Sequence, residues 1–286
     1  MTDEEIEGRL AACPLGGERG AFAAGMLFGD WRITAFIAKG GTAEVYCAEH
    51  AVLGTPAAVK VLSEPLADSR KARFVREAKL LAELKSPAFP TFHGYGEADG
   101  RPYIVEELLE PGELPAGDRA RAKYLLALCN GLKELHARGV VHRDLKPANI
   151  LRRPNGEPVL IDPGLVKKME KTGTQTQPFA LSQLNGRPLG VGTLGFAAPE
   201  QLIKGIASSR SDVFSLGKVL SACFDGKVPQ GPWQTIIRRA TQEAPEDRYA
   251  SADDFARAVR RRHQHSARDT VVVRQHATIA RARRRR

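Results

Sequence analysis

The residues His142-Arg143-Asp144-Leu145-Lys146-Pro147-Ala148-Asn149, followed after a short interval by Asp162, set out a proton acceptor and two oxygen ligands for a metal. That set suits phosphoryl transfer. A hydroxyl attacking ATP needs a carboxylate to accept its proton, and the triphosphate needs magnesium held by oxygens that are fixed before the reaction begins. Asp144 suits the first task, Asn149 and Asp162 the second. Two short strands, 150–152 and 158–161, are predicted around Pro154-Asn155-Gly156, because Asn-Gly is a strong hairpin signal. The hairpin returns Asp162 to the side of Asn149.

This segment resembles the catalytic loop and magnesium loop of the protein kinases, whose H-R-D-L-x-x-x-N pattern it matches in full. Lys146 resembles the serine/threonine subclass. The resemblance implies that Asp144 is the catalytic base, that Lys146 neutralises the transferring phosphoryl group, and that Asn149 and Asp162 hold magnesium. The magnesium motif reads Asp162-Pro163-Gly164 where the family has Asp-Phe-Gly. Proline fixes its own φ and restricts the residue before it, so Pro163 is expected to limit flipping of this loop and to keep Asp162 turned toward the nucleotide.

An ATP-binding lobe must then lie upstream. Residues 31–37 and 43–48 are strand-like runs around Ala38-Lys39-Gly40-Gly41-Thr42-Ala43-Glu44-Val45, where Gly40 and Gly41 let backbone amides approach phosphates. Two of the three family glycines are replaced, by Ala38 and Ala43. Ala57-Ala58-Val59-Lys60-Val61-Leu62 resembles the V-A-I-K strand, so Lys60 would grip the α- and β-phosphates. Its partner is expected to be Glu77, on a helix whose apolar stripe is Phe74, Ala78 and Leu81; a local pair with Arg73 is the alternative. Residues 92–97 and 101–107 read as a hairpin around Asp99-Gly100, ending at a hinge before Pro111-Gly112. By resemblance, backbone groups of Glu107 and Leu109 meet adenine, and Ile37, Val45, Ala58 and Leu151 line its pocket. Glu106 falls where the family keeps a residue guarding the space behind adenine, and is expected to hydrogen-bond or reach solvent.

Downstream, 119–138 has the spacing of an amphipathic helix, with Leu125, Leu126, Leu128, Leu132 and Leu135 on its apolar side. Ala198-Pro199-Glu200 resembles the end of the activation segment, and Asp212 the residue that braces the backbone of His142 and Arg143. Glu200 is expected to pair with Arg248. The segment from Asp162 to Glu200 is long and carries Thr172, Thr174 and Thr176, where family members are phosphorylated; Arg143 is the cation that would receive the phosphate. The interval from Asp212 to Arg248 is too short for the usual substrate-docking helix and its loops.

The chain has 286 residues and a net charge of +10, and residues 257–286, with eleven arginines and one aspartate, carry all of it. The tail, 264–286, is expected to be disordered and to make weak contact with polyanions or an anionic membrane, against the alternative of a solvated tail with no dedicated partner. Residues 1–30 form an N-terminal extension without a secretory signal, and its apolar run, 21–28, is too short to span a membrane; it packs on the nucleotide lobe or is partly disordered. Cys13, Cys47, Cys129 and Cys223 are scattered, so reduced thiols in a cytoplasmic protein are expected.

The resemblance, to bacterial eukaryotic-like (Hanks-type) kinases, implies an α+β, two-lobed fold: a small antiparallel β-rich N-lobe with one helix (31–109, including the hinge) and a mainly helical C-lobe (110–263). It implies transfer of the γ-phosphate of ATP, with Mg²⁺ or Mn²⁺, to serine and threonine hydroxyls of protein substrates, with autophosphorylation of the activation segment. The rival readings are a pseudokinase acting as a nucleotide-sensing scaffold, motivated by Pro163 and the altered glycine loop, and a small-molecule phosphotransferase. The latter typically lacks the Ala198-Pro199-Glu200 element.

Overall fold

Short runs rich in apolar and β-branched or aromatic residues recur between turn residues from Leu27 to Glu107, and they fold into one antiparallel sheet. Its strands are β1 (Leu27–Phe28), β2 (Trp31–Lys39), β3 (Ala43–His50), β4 (Pro56–Leu62), β5 (Phe92–Ala98) and β6 (Arg101–Glu107), in the order β1-β2-β3-β4-β6-β5. Helix α1 (Asp68–Glu83) lies between β4 and β5 in sequence. The computed structural model describes residues 20–63, 68–163, 195–225, 227 and 229–263. By their contacts these fall into two units: one runs to Gly112 and resumes at Ala148, the other comprises Glu113–Pro147 and the described residues from 195 onward.

Strand β4 is buried along its whole length, so both of its faces are covered. One face carries Ala58, Lys60 and Leu62, and Leu62 packs with Phe74, Ala78 and Leu81 of α1, the apolar stripe expected from sequence. The other face carries Ala57, Val59 and Val61, which pack with Phe22, Phe28, Ile33, Tyr46 and Tyr103. Phe22 sits edge-on to Phe28 at 4.9 Å, and Phe28 edge-on to Tyr103 at 5.2 Å. The described part of the N-terminal extension is thus a layer of the core, and β1 adds a strand ahead of the expected start at residue 31. A sheet face this apolar must be covered, and Phe22 and Phe28 of the run 21–28 do so.

The hairpin of β7 (Ile150–Arg152) and β8 (Pro158–Leu160) forms as expected, with Ile150 opposite Leu160. It groups by contacts with the first unit and not with the helical one, in which the sequence reading placed it. The reason is visible in its bonds: Arg152 and Glu110 exchange backbone hydrogen bonds at 2.8 and 2.9 Å, and the Leu160 amide donates to Ala88 at 2.7 Å.

The second unit is built on α2 (Asp118–Ala137), α3 (Pro199–Lys204), α4 (Ser209–Ala222), α5 (Pro232–Ala240) and a last helix, α6, at 252–263. Leu125, Leu128, Leu132 and Leu135 of α2 are fully buried, while Leu126 is half-buried. Helix α4 opens on a capping exchange in which Ser208 accepts from the Arg210 amide and Ser211 accepts from the Ser208 amide, satisfying donors a helix leaves orphaned. Between Asp212 and Arg248 lies the nine-residue α5. Its close approach to α4 depends on Gly217, where a Cβ would stand 2.7 Å from that of Ala240. No described helix is long and apolar enough to cross a membrane.

Candidate active site

In the first unit the site is organised around Lys60. Its position in the middle of β4 projects it onto the face opposite Phe22, where Nζ lies 2.7 Å from Glu77 Oε1 on α1 and also meets the carboxylate of Asp162. Glu77 therefore pairs with Lys60 between α1 and β4 and not locally with Arg73. Burial alone would lower the Lys60 pKa, but the Asp162 and Glu77 carboxylates overcome it and hold the ammonium firmly charged. Glu77 itself is raised, by burial first, with Lys60 opposing. Glu106, opposite Ala58 in the β4/β6 pairing, is a half-buried residue whose carboxyl is desolvated and pushed up to about 8 against the pull of Lys60. It feels the fields of Lys60, Asp162 and Glu77, so it belongs to this charge cluster and does not simply reach solvent.

Asp162 has φ of +52°, a left-handed conformation that aspartate tolerates better than most residues. It is turned toward Lys60, with Pro163 buried beside it. The Ile161 amide donates to the Asn149 carbonyl at 3.0 Å, so the hairpin sets buried Asn149 and half-exposed Asp162 at neighbouring strand ends. Two hard oxygen donors on one rigid hairpin fit Mg²⁺, which takes few protein ligands and completes its shell with phosphate and water. Among the described residues no cluster of three or more His, Cys, Asp or Glu would form an all-protein metal cage.

The residues expected to line adenine come together in part. Ile37, Val45 and Ala58 pack with Cys47 and Leu108 in one apolar cluster; Leu151 and Leu109 are half-buried outside it. The Gly40 amide donates to Ala43 at 2.8 Å and the Ser63 amide to Thr42 at 2.9 Å, closing the glycine turn at its base. Glu107 is held more tightly than the sequence suggests. Arg153 grips its two carboxylate oxygens at 2.8 Å each, Thr91 donates to it, and its amide donates to the Thr91 carbonyl at 2.9 Å. Cys47 is disulfide-bonded, contrary to the expectation of reduced thiols, because spacing along a sequence does not reveal which sulfurs meet. Cys129 and Cys223 are free and buried, and Cys13 lies outside the described residues.

In the second unit the loop from His142 to Lys146 is fixed by Asp212. Fully buried on α4, its carboxylate accepts the amides of His142 at 2.8 Å and Arg143 at 2.9 Å, with His136 Nε2 at 2.8 Å. Arg143 has φ of +69°, a strained region costing roughly 1–3 kcal/mol for a non-glycine residue. Asp212 on its amide and Gln201 Nε2 on its carbonyl, at 3.0 Å, hold it there. Beyond this kink Lys146 Nζ donates to Asp144 Oδ2 at 2.8 Å, so the proposed base and the proposed phosphate-neutralising cation start as a pair. Arg248, fully buried, makes a two-pronged bond to Glu200 at 2.7 and 2.8 Å. Thr172, Thr174 and Thr176 lie outside the described residues.

His136, Gln201, Arg153 and Glu44 escaped the sequence reading as participants. The first three act through contacts 46 to 76 residues away, for which no local period gives a signal. Glu44 could have been suspected, since a glutamate next to a strand tyrosine on the apolar face (Glu44, Tyr46) breaks the alternation.

Comparison with known proteins agrees with this geometry. The protein kinase domain family matches residues 31–269. Serine/threonine-protein kinase PknH of Mycobacterium bovis is 29% identical over 272 residues, covering 82% of this chain and 44% of the relative. PknL of Mycobacterium tuberculosis is 30% identical over 276 residues, covering 82% and 66%. The DNA damage-responsive serine/threonine-protein kinase RqkA of Deinococcus radiodurans is 34% identical over 215 residues, covering 71% and 31%. The chain spans less than half the length of the PknH proteins it matches. Among solved structures, a mutant of the Mycobacterium tuberculosis PknI kinase domain aligns with a TM-score of 0.62 at 23% identity, covering 85% of this chain and 99% of that one. The α+β kinase fold, the Lys60 and Glu77 pair and the braced loop 142–146 converge on one conclusion: the chain belongs to the protein kinase domain family.

Proposed function

We propose that the chain is a serine/threonine protein kinase that moves the γ-phosphate of ATP to protein hydroxyls and phosphorylates its own activation segment. The observation that carries this reading is Lys60, held between Glu77 and Asp162 in the arrangement that phosphate gripping requires. In this reading Lys60 holds the α- and β-phosphates and Glu77 fixes Lys60. The backbone of Gly40 and Gly41 covers the phosphates. Backbone groups of Glu107 and Leu109 meet adenine between Ile37, Val45, Ala58 and Leu151. Asp144 accepts the proton of the attacking hydroxyl, and Lys146 neutralises the phosphoryl group. Asn149 and Asp162 would hold Mg²⁺, or Mn²⁺ in its place, and the ion would supply neutralisation of phosphate charge. The named serine/threonine kinases among the relatives support protein substrates and a bacterial setting; a cytoplasmic location is part of the proposal. The arginine-rich tail adds weak contact with polyanions or an anionic membrane.

The test is phosphate incorporation from labelled ATP into the protein itself and into a generic basic protein. Asp144→Asn is expected to lower the rate by roughly 10²- to 10⁴-fold, the usual worth of a general base, and Lys60→Met comparably. Equal labelling of wild type and Asp144→Asn, or binding of nucleotide by both without labelling, would favour the scaffold reading.

A further inference from the structure

Glu44 is 4% exposed, yet it faces away from Lys60. It lies on the outer face of the sheet, the face that Tyr46 and Phe22 occupy, and a carboxylate buried there is costly to desolvate unless it is bonded. It is bonded four ways if its relay is counted. Its Oε1 pairs with Lys39 Nζ at 2.9 Å. Its Oε2 accepts the Ala21 amide at 2.9 Å and the Tyr46 hydroxyl, and the Tyr46 oxygen in turn accepts the Phe22 amide at 3.2 Å. Burial pushes the carboxyl up, but these donors outweigh it and leave Glu44 below the ordinary carboxylate range, hence charged.

Lys39 and Glu44 are also opposite each other in the β2/β3 register, flanking Gly40, Gly41 and Thr42. Their ion pair therefore spans the base of the glycine turn, and its carboxylate end is held by the Ala21 amide directly and by the Phe22 amide through the Tyr46 hydroxyl. The approach is close by construction. A Cβ on Gly20 would come within 2.6 Å of Phe36 and 2.7 Å of the Tyr46 ring. An apolar side chain at position 44 would cover this face without any desolvation cost, so a buried charge here has to be accounted for by what it holds.

We propose that Glu44 is a positioning residue for ATP binding, through which the segment from Gly20 to Phe28 clamps the glycine turn from the outer face of the sheet. The clamp rests on the kinase reading, because it acts on the turn that covers the phosphates. It also compensates for a turn in which Ala38 and Ala43 replace two family glycines: a stiffer turn tolerates less misplacement, so its base is fixed from outside.

The test compares the full chain with Glu44→Ala, Glu44→Gln and Gly20→Ala, measuring binding of a fluorescent ATP analogue with Mg²⁺ and steady-state kinetics on a peptide. Thermal melts select the variants that remain folded. Glu44→Ala and Gly20→Ala are expected to weaken nucleotide binding and raise KM for ATP by about 5- to 10-fold, the coupling of roughly one hydrogen bond, while kcat changes less than about twofold. Glu44→Gln keeps an acceptor oxygen for Ala21 and Tyr46 and should recover most of the affinity. If Glu44→Ala does not fold, Gly20→Ala decides. Wild-type affinity in folded Gly20→Ala or Glu44→Ala protein overturns the clamp, as does a loss confined to kcat. Failure of the wild-type chain itself to bind ATP would instead overturn the kinase reading.

Discussion

Glu106 shows how one residue's environment becomes a measurable property of the whole fold. Its folded pKa, about 8, lies above the ordinary 4.5 because burial disfavours the carboxylate and Lys60 only partly offsets this. Between those values the native state holds a proton that the unfolded chain has lost, so stability falls as pH rises from about 4.5 to about 8. Glu106→Gln keeps the size and removes the titration. It is expected to match wild type in chemical denaturation near the lower value and to exceed it near the upper one, with a flatter profile between. A wild-type profile no steeper than that of the variant would show that the Glu106 carboxyl is not held protonated.

At the residue scale, the sequence was most informative where residues stand at consecutive, motif-spaced positions. Asp144, Lys146, Asn149 and Asp162 sit in a short, ordered motif, and Lys60 in a strand with a recognisable pattern. Glu77 needed one further step, the helical stripe of Phe74, Ala78 and Leu81 that fixes which face of α1 meets the sheet. The raised pKa of Glu106 was not legible, because it depends first on burial and then on charges drawn from β4, α1, the strand end after β8 and the neighbouring Glu107. Nor was the grip of Arg153 on Glu107, which joins residues 46 apart.

Among elements, the boundaries expected from patterning agree with the structure to within a residue or two: β6 spans Arg101–Glu107, and α2 begins at Asp118, one residue before its expected start. What patterning could not supply is how closely elements approach. The contact of α4 with α5 depends on Gly217, whose missing Cβ leaves room for Ala240 and for Thr241 Cγ2, the latter 2.8 Å from where a Cβ would stand. Gly217→Ala would gain about 1 kcal/mol in helix propensity, but overpacking costs roughly 1–3 kcal/mol, and the contact is with a methyl group on a helix, not the end of a flexible chain. Denaturant unfolding is therefore expected to show net destabilisation for Gly217→Ala, and a larger loss for Gly217→Val. The double variant Gly217→Ala, Ala240→Gly should recover part of it. A stabilised Gly217→Ala protein would mean that the two helices are free to move apart.

For the whole molecule, charge is the property most easily misread from composition. Residues 257–286 hold the entire net charge, yet not all of it is available to a partner. Arg262 donates to Asp118 Oδ2 at 2.6 Å with most of its side chain buried, and Arg257 pairs with Asp253 and Asp254. These arginines belong to α6 and to the fold; the ones beyond 263 are the candidates for polyanion contact. Removing residues 264–286 is therefore expected to abolish weak binding to duplex DNA or anionic vesicles while leaving peptide phosphorylation almost unchanged. Before truncation, affinity should fall steeply with salt, by about 0.9 counterion for each phosphate neutralised on a DNA duplex. Lost peptide phosphorylation in a folded truncated protein would make the tail part of the catalytic machinery, and no binding at low salt would leave it simply solvated.

Strand β4 has a working face and a supporting face. Lys60 occupies the first; the second is closed by Phe22 and Phe28, which precede the family match at residue 31. Replacing either ring by alanine would open a void in a buried aromatic cluster at a cost of roughly 3–5 kcal/mol. Support for the strand that carries Lys60 thus reaches back across the edge of the family match, and an N-terminal truncation to residue 31 would remove one wall of this core.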